Sequence, residues 1–212
     1  MSTVSQLAGH QYLFEPGTAA AGPVLLLLHG TGGTERDLLP LAAKVASGAP
    51  VVSPRGNVLE NGMPRYFRRL AEGVFDLEDL AARTAQLAQF IREAAALHEF
   101  GLERLVAVGF SNGANIAASV MLTAPDALRH GILLRAMVPF EPARPPALSG
   151  SSALISAGKT DPIIPPRTSE RLAEMMREAG ASVELRWQEA GHALVQGDVT
   201  DAQSYLRTWR DG

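Results

Sequence analysis

The 212-residue chain contains no cysteine, which removes disulfides, thiolate metal sites and cysteine nucleophiles in one step. Lysine is nearly absent too, with only Lys44 and Lys159, so arginine carries most of the positive charge. A formal net charge of -3 leaves no basic footprint for nucleic acid or an anionic membrane, and neither is expected as a partner. No Lys or Arg precedes Arg36, so the N-terminus lacks the positive region that opens a secretory signal. No apolar run approaches membrane-spanning length. These absences point to a cytoplasmic protein without stable membrane insertion. With 46% hydrophobic and 19% charged residues, the chain is too apolar for disorder, and one domain over residues 1–212 is expected.

Alternation is what remains. Apolar runs at Val24–Leu28, Ala49–Ser53, Arg104–Gly109, Gly131–Pro139, Ala153–Ala157 and Ser182–Trp187 read as buried strands. Helical segments fall between most of them, at Glu35–Ala46, Asn112–Thr123, Ser169–Ala179 and Val199–Trp209. A further helix starts at Asp76, where Leu77, Leu80, Thr84, Leu87, Ile91 and Ala94 share one face. Asp76 with Asp79 three residues on resembles a capped start. The fold class is therefore α/β, a mainly parallel sheet with helices on both faces, because each crossover helix must pack back on the sheet. Tyr12–Phe14 is read as an antiparallel edge strand, and Pro139–Pro146 as a loop inside the domain. Only Phe140–Ser149 lies between two of the strands, too little for a large cap domain.

The segment Leu105 to Ala114 reads as a strand, a Gly109-Phe110-Ser111-Asn112-Gly113 turn and a helix start. A Gly-x-Ser-x-Gly turn of this kind lifts the serine hydroxyl clear of the sheet edge, which makes Ser111 the candidate nucleophile. The bland alternative is a glycine-rich turn serving packing or phosphate binding. A serine hydroxyl needs a base, and His192 follows the last strand, where the chain returns to the serine. Among the other histidines, His10 is expected in a frayed terminus, His98 ends a helix, His130 precedes a strand and His29 belongs to a glycine loop. The base needs an orienting acid, and Asp161 follows the strand Ala153–Ala157. Asp126 suits a turn, and Asp198 suits a cap on the last helix. An oxyanion hole is assigned to the amides of Thr31, in His29-Gly30-Thr31-Gly32-Gly33, and Asn112. That glycine loop lacks the Gly-Lys-Ser/Thr ending of a phosphate cradle. No cluster has metal-site spacing, so neither a metal nor a cofactor is expected.

Four blocks of the sequence resemble the phospholipase/carboxylesterase family of small α/β-hydrolases, which includes acyl-protein thioesterases and the bacterial MhqD/YahD-like hydrolases. They are Leu28 to Gly33, Arg55 to Phe67, Gly109 to Gly113, and Gly158 to Pro162 with Gly191-His192. The second block looks most like the bacterial branch. The resemblance implies the triad Ser111, Asp161 and His192 and hydrolysis of carboxylic esters, with thioesters or lysophospholipids as alternatives. Many relatives have Gln where Asn112 stands, which changes a side chain but keeps the amide donor.

A small-molecule ester of short to medium chain length is the expected substrate, and a homodimer is compatible with the sequence. Phe67, Met137, Val138 and Phe140 are candidates to line an acyl pocket, although core packing is the ordinary fate of such residues. Arg55, Arg65, Arg68 and Arg69 crowd one loop and are read first as partners of Glu60, Glu72 and Asp76. Peptidases and cofactor-free perhydrolases use the same triad, and a non-catalytic binding module is the rival from another class.

Overall fold

Why the apolar runs become strands shows in their burial. The computed structural model describes residues 3–18, 22–144 and 146–210. The chain opens with β1 (Val4–Leu7) and β2 (His10–Glu15), then β3 (Val24–Leu28), α1 (Leu39–Val45) and β4 (Val51–Pro54). Two small hairpins follow, β5 (Val58–Glu60) with β6 (Met63–Arg65), and β7 (Arg69–Ala71) with β8 (Val74–Phe75). The remainder is α2 (Leu77–Leu97), β9 (Leu105–Phe110), α3 (Asn112–Thr123), β10 (His130–Leu134), β11 (Ser152–Gly158), α4 (Pro166–Glu178), β12 (Ser182–Gln188) and α5 (Gln196–Arg210).

Eight strands form one sheet in the order β1-β2-β4-β3-β9-β10-β11-β12, parallel from β4 to β12 and antiparallel at β1 and β2. Side chains alternate across it. Leu26, Leu28, Ala107, Leu133 and Ile155 join the core under α2, α3 and α4, while Leu25, Leu27, Val106, Val108, Ile132 and Leu154 face α1 and α5. Each fully buried leucine contributes about 2 kcal/mol, against well under 1 for a typical surface ion pair, so the unbroken apolar runs set the sheet. No helix among the described residues is long and apolar enough to cross a membrane.

Several boundaries differ from the sequence expectations. The helix expected from Glu35 starts at Leu39, because Thr34 Oγ1 donates to Asp37 Oδ1 in a turn and Glu35 is buried against Arg55. The strand expected to reach Pro139 stops at Leu134, where Arg135 turns to φ 56°. Tyr12–Phe14 lies in β2, which β1 covers, so β1 is the edge. His10 is not frayed but buried in β2, bonded to the Arg55 carbonyl at 3.0 Å. The arginine-rich stretch Pro54–Phe75, read from the sequence as one loop, carries both hairpins. The Pro139–Pro146 stretch holds no helix or strand among its described residues; position 145 lies outside them. Asp76 does cap α2, its side chain accepting from the Asp79 amide at 3.1 Å.

One close approach sets the position of α3. A Cβ on Gly113 would overlap the Leu28 carbonyl, and one on Gly109 would meet Ala114 Cα at 2.7 Å. The helix therefore lies against β3 and β9 more tightly than any side chain permits. Gly113→Ala should lower stability by about 1–3 kcal/mol through overpacking, read as a lower urea midpoint at unchanged slope. A midpoint equal to wild type would show that the contact is looser than drawn.

Candidate active site

The loops after β3, β9, β11 and β12 meet on one edge of the sheet, because parallel strands in register end together. β9 pairs through Gly109 with Leu28 of β3 and through Phe110 with Leu134 of β10. Beyond Phe110 the chain turns sharply, with Ser111 at φ 52° and ψ -113°, a conformation that costs of order 1–3 kcal/mol for a non-glycine residue. The turn is held from outside: the Ser111 amide donates to Leu134 O at 2.9 Å, and its carbonyl accepts the Asn115 amide at 3.0 Å.

Ser111 Oγ lies 3.0 Å from His192 Nε2, and His192 Nδ1 lies 2.8 Å from Asp161 Oδ2. An ionised carboxylate only accepts, so Nδ1 carries the proton and Nε2 is free to accept the serine proton. The other oxygen of Asp161 is occupied, since Oδ1 accepts the Ile163 and Ile164 amides at 2.8 and 3.0 Å. Asp161 is thus buried and oriented, while the imidazole keeps one edge toward the cleft. The loops that carry Asp161 and His192 are tied by the amides of Lys159 and Thr160, which donate to Gln188 O and Ala190 O. The structure brings Ser111, Asp161 and His192 together and leaves the rival aspartates elsewhere. Asp126 pairs with Arg92 on the surface, and Asp198 lies buried beneath the base loop.

Facing them, Thr31 and Asn112 both line the cleft. Gly32 and Gly33 spend their amides on Pro64 O and Gly30 O, whereas the Thr31 amide is not engaged by a described group. The Asn112 amide belongs to the first turn of α3 and has no partner within its helix. His29 Nδ1 donates to Gly30 O at 2.7 Å, and Nε2 accepts the Gly56 amide at 2.9 Å. Burial, the largest influence, lowers its pKa and keeps it neutral, so His29 pins the glycine loop. The Asn112 side chain accepts from the Tyr66 amide at 2.8 Å and so ties α3 to the hairpin segment.

The cleft has a volume of about 330 Å³. Met137 lines it, as expected, but Phe67, Val138 and Phe140 do not. Phe67 is fully buried and packs edge-on against Phe75, Val138 packs on the core, and Phe140 borders a separate groove between α2 and α3. Phe75, Phe110, Ile163 and Ile164 supply the apolar wall instead. No local pattern marks them, because Phe75 belongs to the short β7–β8 hairpin, and the isoleucines are set at the cleft by the bonds of their amides to Asp161.

The arginine cluster divides. Arg55 forks onto Glu35 at 2.6 and 3.0 Å, and exposed Arg68 pairs with Asp76 and Asp79. Arg65 and Arg69 line the cleft and share Glu60, at 3.3 and 2.9 Å. Arg65 is buried and donates to Thr31 Oγ1 at 2.5 Å. Desolvation, then the nearby Arg69 charge, lowers its pKa, with Glu60 opposing. Glu72, expected as an arginine partner, stands at the cleft instead.

A family description, Phospholipase/Carboxylesterase, matches residues 11–210. The chain is 46% identical over 197 residues to MhqD of Bacillus subtilis (strain 168), which is named as a hydrolase, with 93% of this chain and 98% of that one covered. The carboxylesterase of Bacillus cereus superposes with a TM-score of 0.92 at 48% identity, covering 94% of each chain. YahD, whose structure was determined with malic acid, superposes with a TM-score of 0.88 at 29% identity, covering 94% of this chain and 98% of that one.

Asp161→Asn tests the orientation of the base. Because Oδ1 must go on accepting two backbone amides, the new amide nitrogen would face His192 Nδ1 and force the wrong tautomer. Turnover should fall roughly a thousandfold or more with little change in melting temperature, while Asp126→Asn stays near wild type. An Asp161→Asn variant of near-normal turnover would remove this residue from the acid's role.

Proposed function

We propose, from the premise that this chain belongs to the phospholipase/carboxylesterase family and has the α/β-hydrolase fold, that it cleaves short- to medium-chain carboxylic esters through an acyl-enzyme on Ser111. The observation that carries the reading is the continuous line from Ser111 Oγ through His192 to Asp161, at 3.0 and 2.8 Å. His192 Nε2 takes the serine proton as Oγ attacks the ester carbonyl. The resulting oxyanion is met by the Thr31 and Asn112 amides, and as it collapses His192 gives its proton to the leaving oxygen, so the alcohol departs and the imidazole is neutral again. A water then repeats the sequence: it loses a proton to His192, attacks the acyl carbon and releases the acid, and the proton returns to Ser111 Oγ. Thioesters would follow the same steps.

Ser111→Ala is the direct test. It should reduce ester turnover to background with the fold retained, and a serine-directed phosphonate should add mass to wild type alone. Activity near wild type in the variant would refute a covalent role for Ser111.

Chain length follows from the cleft. Each acyl methylene covered by Phe75, Phe110, Met137 or the two isoleucines gains about 0.8 kcal/mol, roughly fourfold in kcat/KM, and one that protrudes gains nothing. The described residues within 135–151 add no helix or strand over the site. For p-nitrophenyl esters kcat/KM should peak at roughly two to eight acyl carbons. A steady rise into long chains would reveal a covered tunnel. A second reading, an ester carrying its own carboxylate, is favoured by the Arg65 and Arg69 guanidiniums sharing Glu60 beside the cleft, and by malic acid in the YahD structure. In the same panel it expects a hemisuccinate ester to outrun its neutral analogue and to lose that lead in Arg69→Gln.

A further inference from the structure

We propose that Arg135 is a positioning residue for the general base, gripping the main chain on both sides of His192 from the end of β10. The inference rests on the assignment of His192 as the base of the reaction. Arg135 is fully buried, and all five of its guanidinium N–H groups are spent. Nε donates to Gly191 O at 3.0 Å and Nη2 to Ala193 O at 2.9 Å, the two carbonyls that flank His192. Nη1 donates to Ser156 O at 3.2 Å. The two remaining N–H groups fork onto Asp198, at 2.8 and 3.0 Å.

This grip matters because little else holds that stretch. Among the described residues, no main-chain hydrogen bond to another main-chain group is made by Gly191, His192, Ala193 or Leu194; the nearest such ties are those of Ala190 and of the Val195 carbonyl, and the Val195 amide donates to Asp198 Oδ2 at 2.7 Å. The imidazole must nonetheless meet Asp161 on one nitrogen and Ser111 on the other at once. Holding the carbonyls of the residues before and after His192 restrains the direction of its Cα–Cβ bond.

Arg135 is itself fixed. Its backbone sits at φ 56°, its amide donates to Ser156 O at 2.8 Å, and Asp198 is held by Ser156 Oγ at 2.6 Å. One residue earlier, Leu134 O accepts the Ser111 amide. Consecutive residues at the end of β10 thus hold the nucleophile and the base. A buried ion pair is a poor source of net stability, and an apolar pair of similar volume packs as well. Its five-donor geometry, which lysine with three donors does not reproduce, is used on the base loop.

The test uses two variants. Arg135→Lys keeps the buried charge balance, and the double variant Arg135→Met with Asp198→Asn removes both charges while leaving an acceptor for the Val195 amide. Turnover per folded molecule, with folding read by near-ultraviolet circular dichroism, should fall about 10- to 100-fold in each, as a misplacement of about 1 Å does. KM should stay within about threefold. The low-field proton resonance of His192 Nδ1–H bonded to Asp161 should broaden or vanish. Normal turnover and an intact resonance in either folded variant would overturn the proposal, and so would failure of both to fold, which would give the pair to the fold alone. Ser111→Ala separates this from the catalytic assignment: an active Ser111→Ala strikes the mechanism, whereas an inactive Ser111→Ala beside a fully active Arg135→Lys strikes only the grip.

Discussion

The hydrogen bond from the Ser111 amide to Leu134 O is the tie on which the rest of the site depends. It continues the β9–β10 ladder one residue past the strand, although Ser111 has already left strand geometry. A strained backbone persists only where its surroundings over-determine it, and here the ladder bond, the Asn115 amide and the contact of Gly113 with Leu28 do so together. Release of all three would let the serine relax toward an ordinary helical start. The hydroxyl would then leave His192, and the first turn of α3 would no longer point its amides at the cleft.

How much of this was legible depends on the range of the interaction. The apolar runs, the Gly109 to Gly113 turn and the Asp76 cap are local patterns, and local patterns survive translation into structure. Asp161 and His192 were legible for another reason. In a parallel sheet, a polar residue just after a strand must emerge on the same edge as the serine, so chain order stands in for distance.

The rest was hidden because it is set by contacts between distant segments. β5–β6 and β7–β8 are two- and three-residue strands in an arginine-rich stretch without clean alternation. Phe67 and Phe140 have the composition of pocket residues, yet one serves the core and the other a different groove. Arg135 did leave a signal. It is a lone charge inside the apolar run from Gly131 to Pro139, and a buried charge demands a partner. That partner, Asp198, stands 63 residues away and looked like a helix cap. It does bind the Val195 amide as a cap would, so the local reading captured only one of its bonds.

The distribution of unsatisfied polar atoms gives the same picture from the side of energy. A buried polar group without a partner costs about 1–3 kcal/mol, so a fold tolerates few of them. Among the described residues three buried side-chain atoms make no hydrogen bond: His10 Nε2, Asn112 Nδ2 beside Ser111, and Glu60 Oε2, which is held only by its 3.3 Å ion pair with Arg65. Asp161 and Arg135, which bond His192 and the main chain around it, have their bonding capacity filled toward the loops they hold. The division is physical. Groups that hold the loops of Asp161 and His192 are saturated, whereas Asn112, which lines the cleft, keeps an unbonded amide nitrogen. The cost of the strained serine and of the unbonded Asn112 nitrogen is carried by the leucine-rich sheet beneath, whose burial exceeds it many times over.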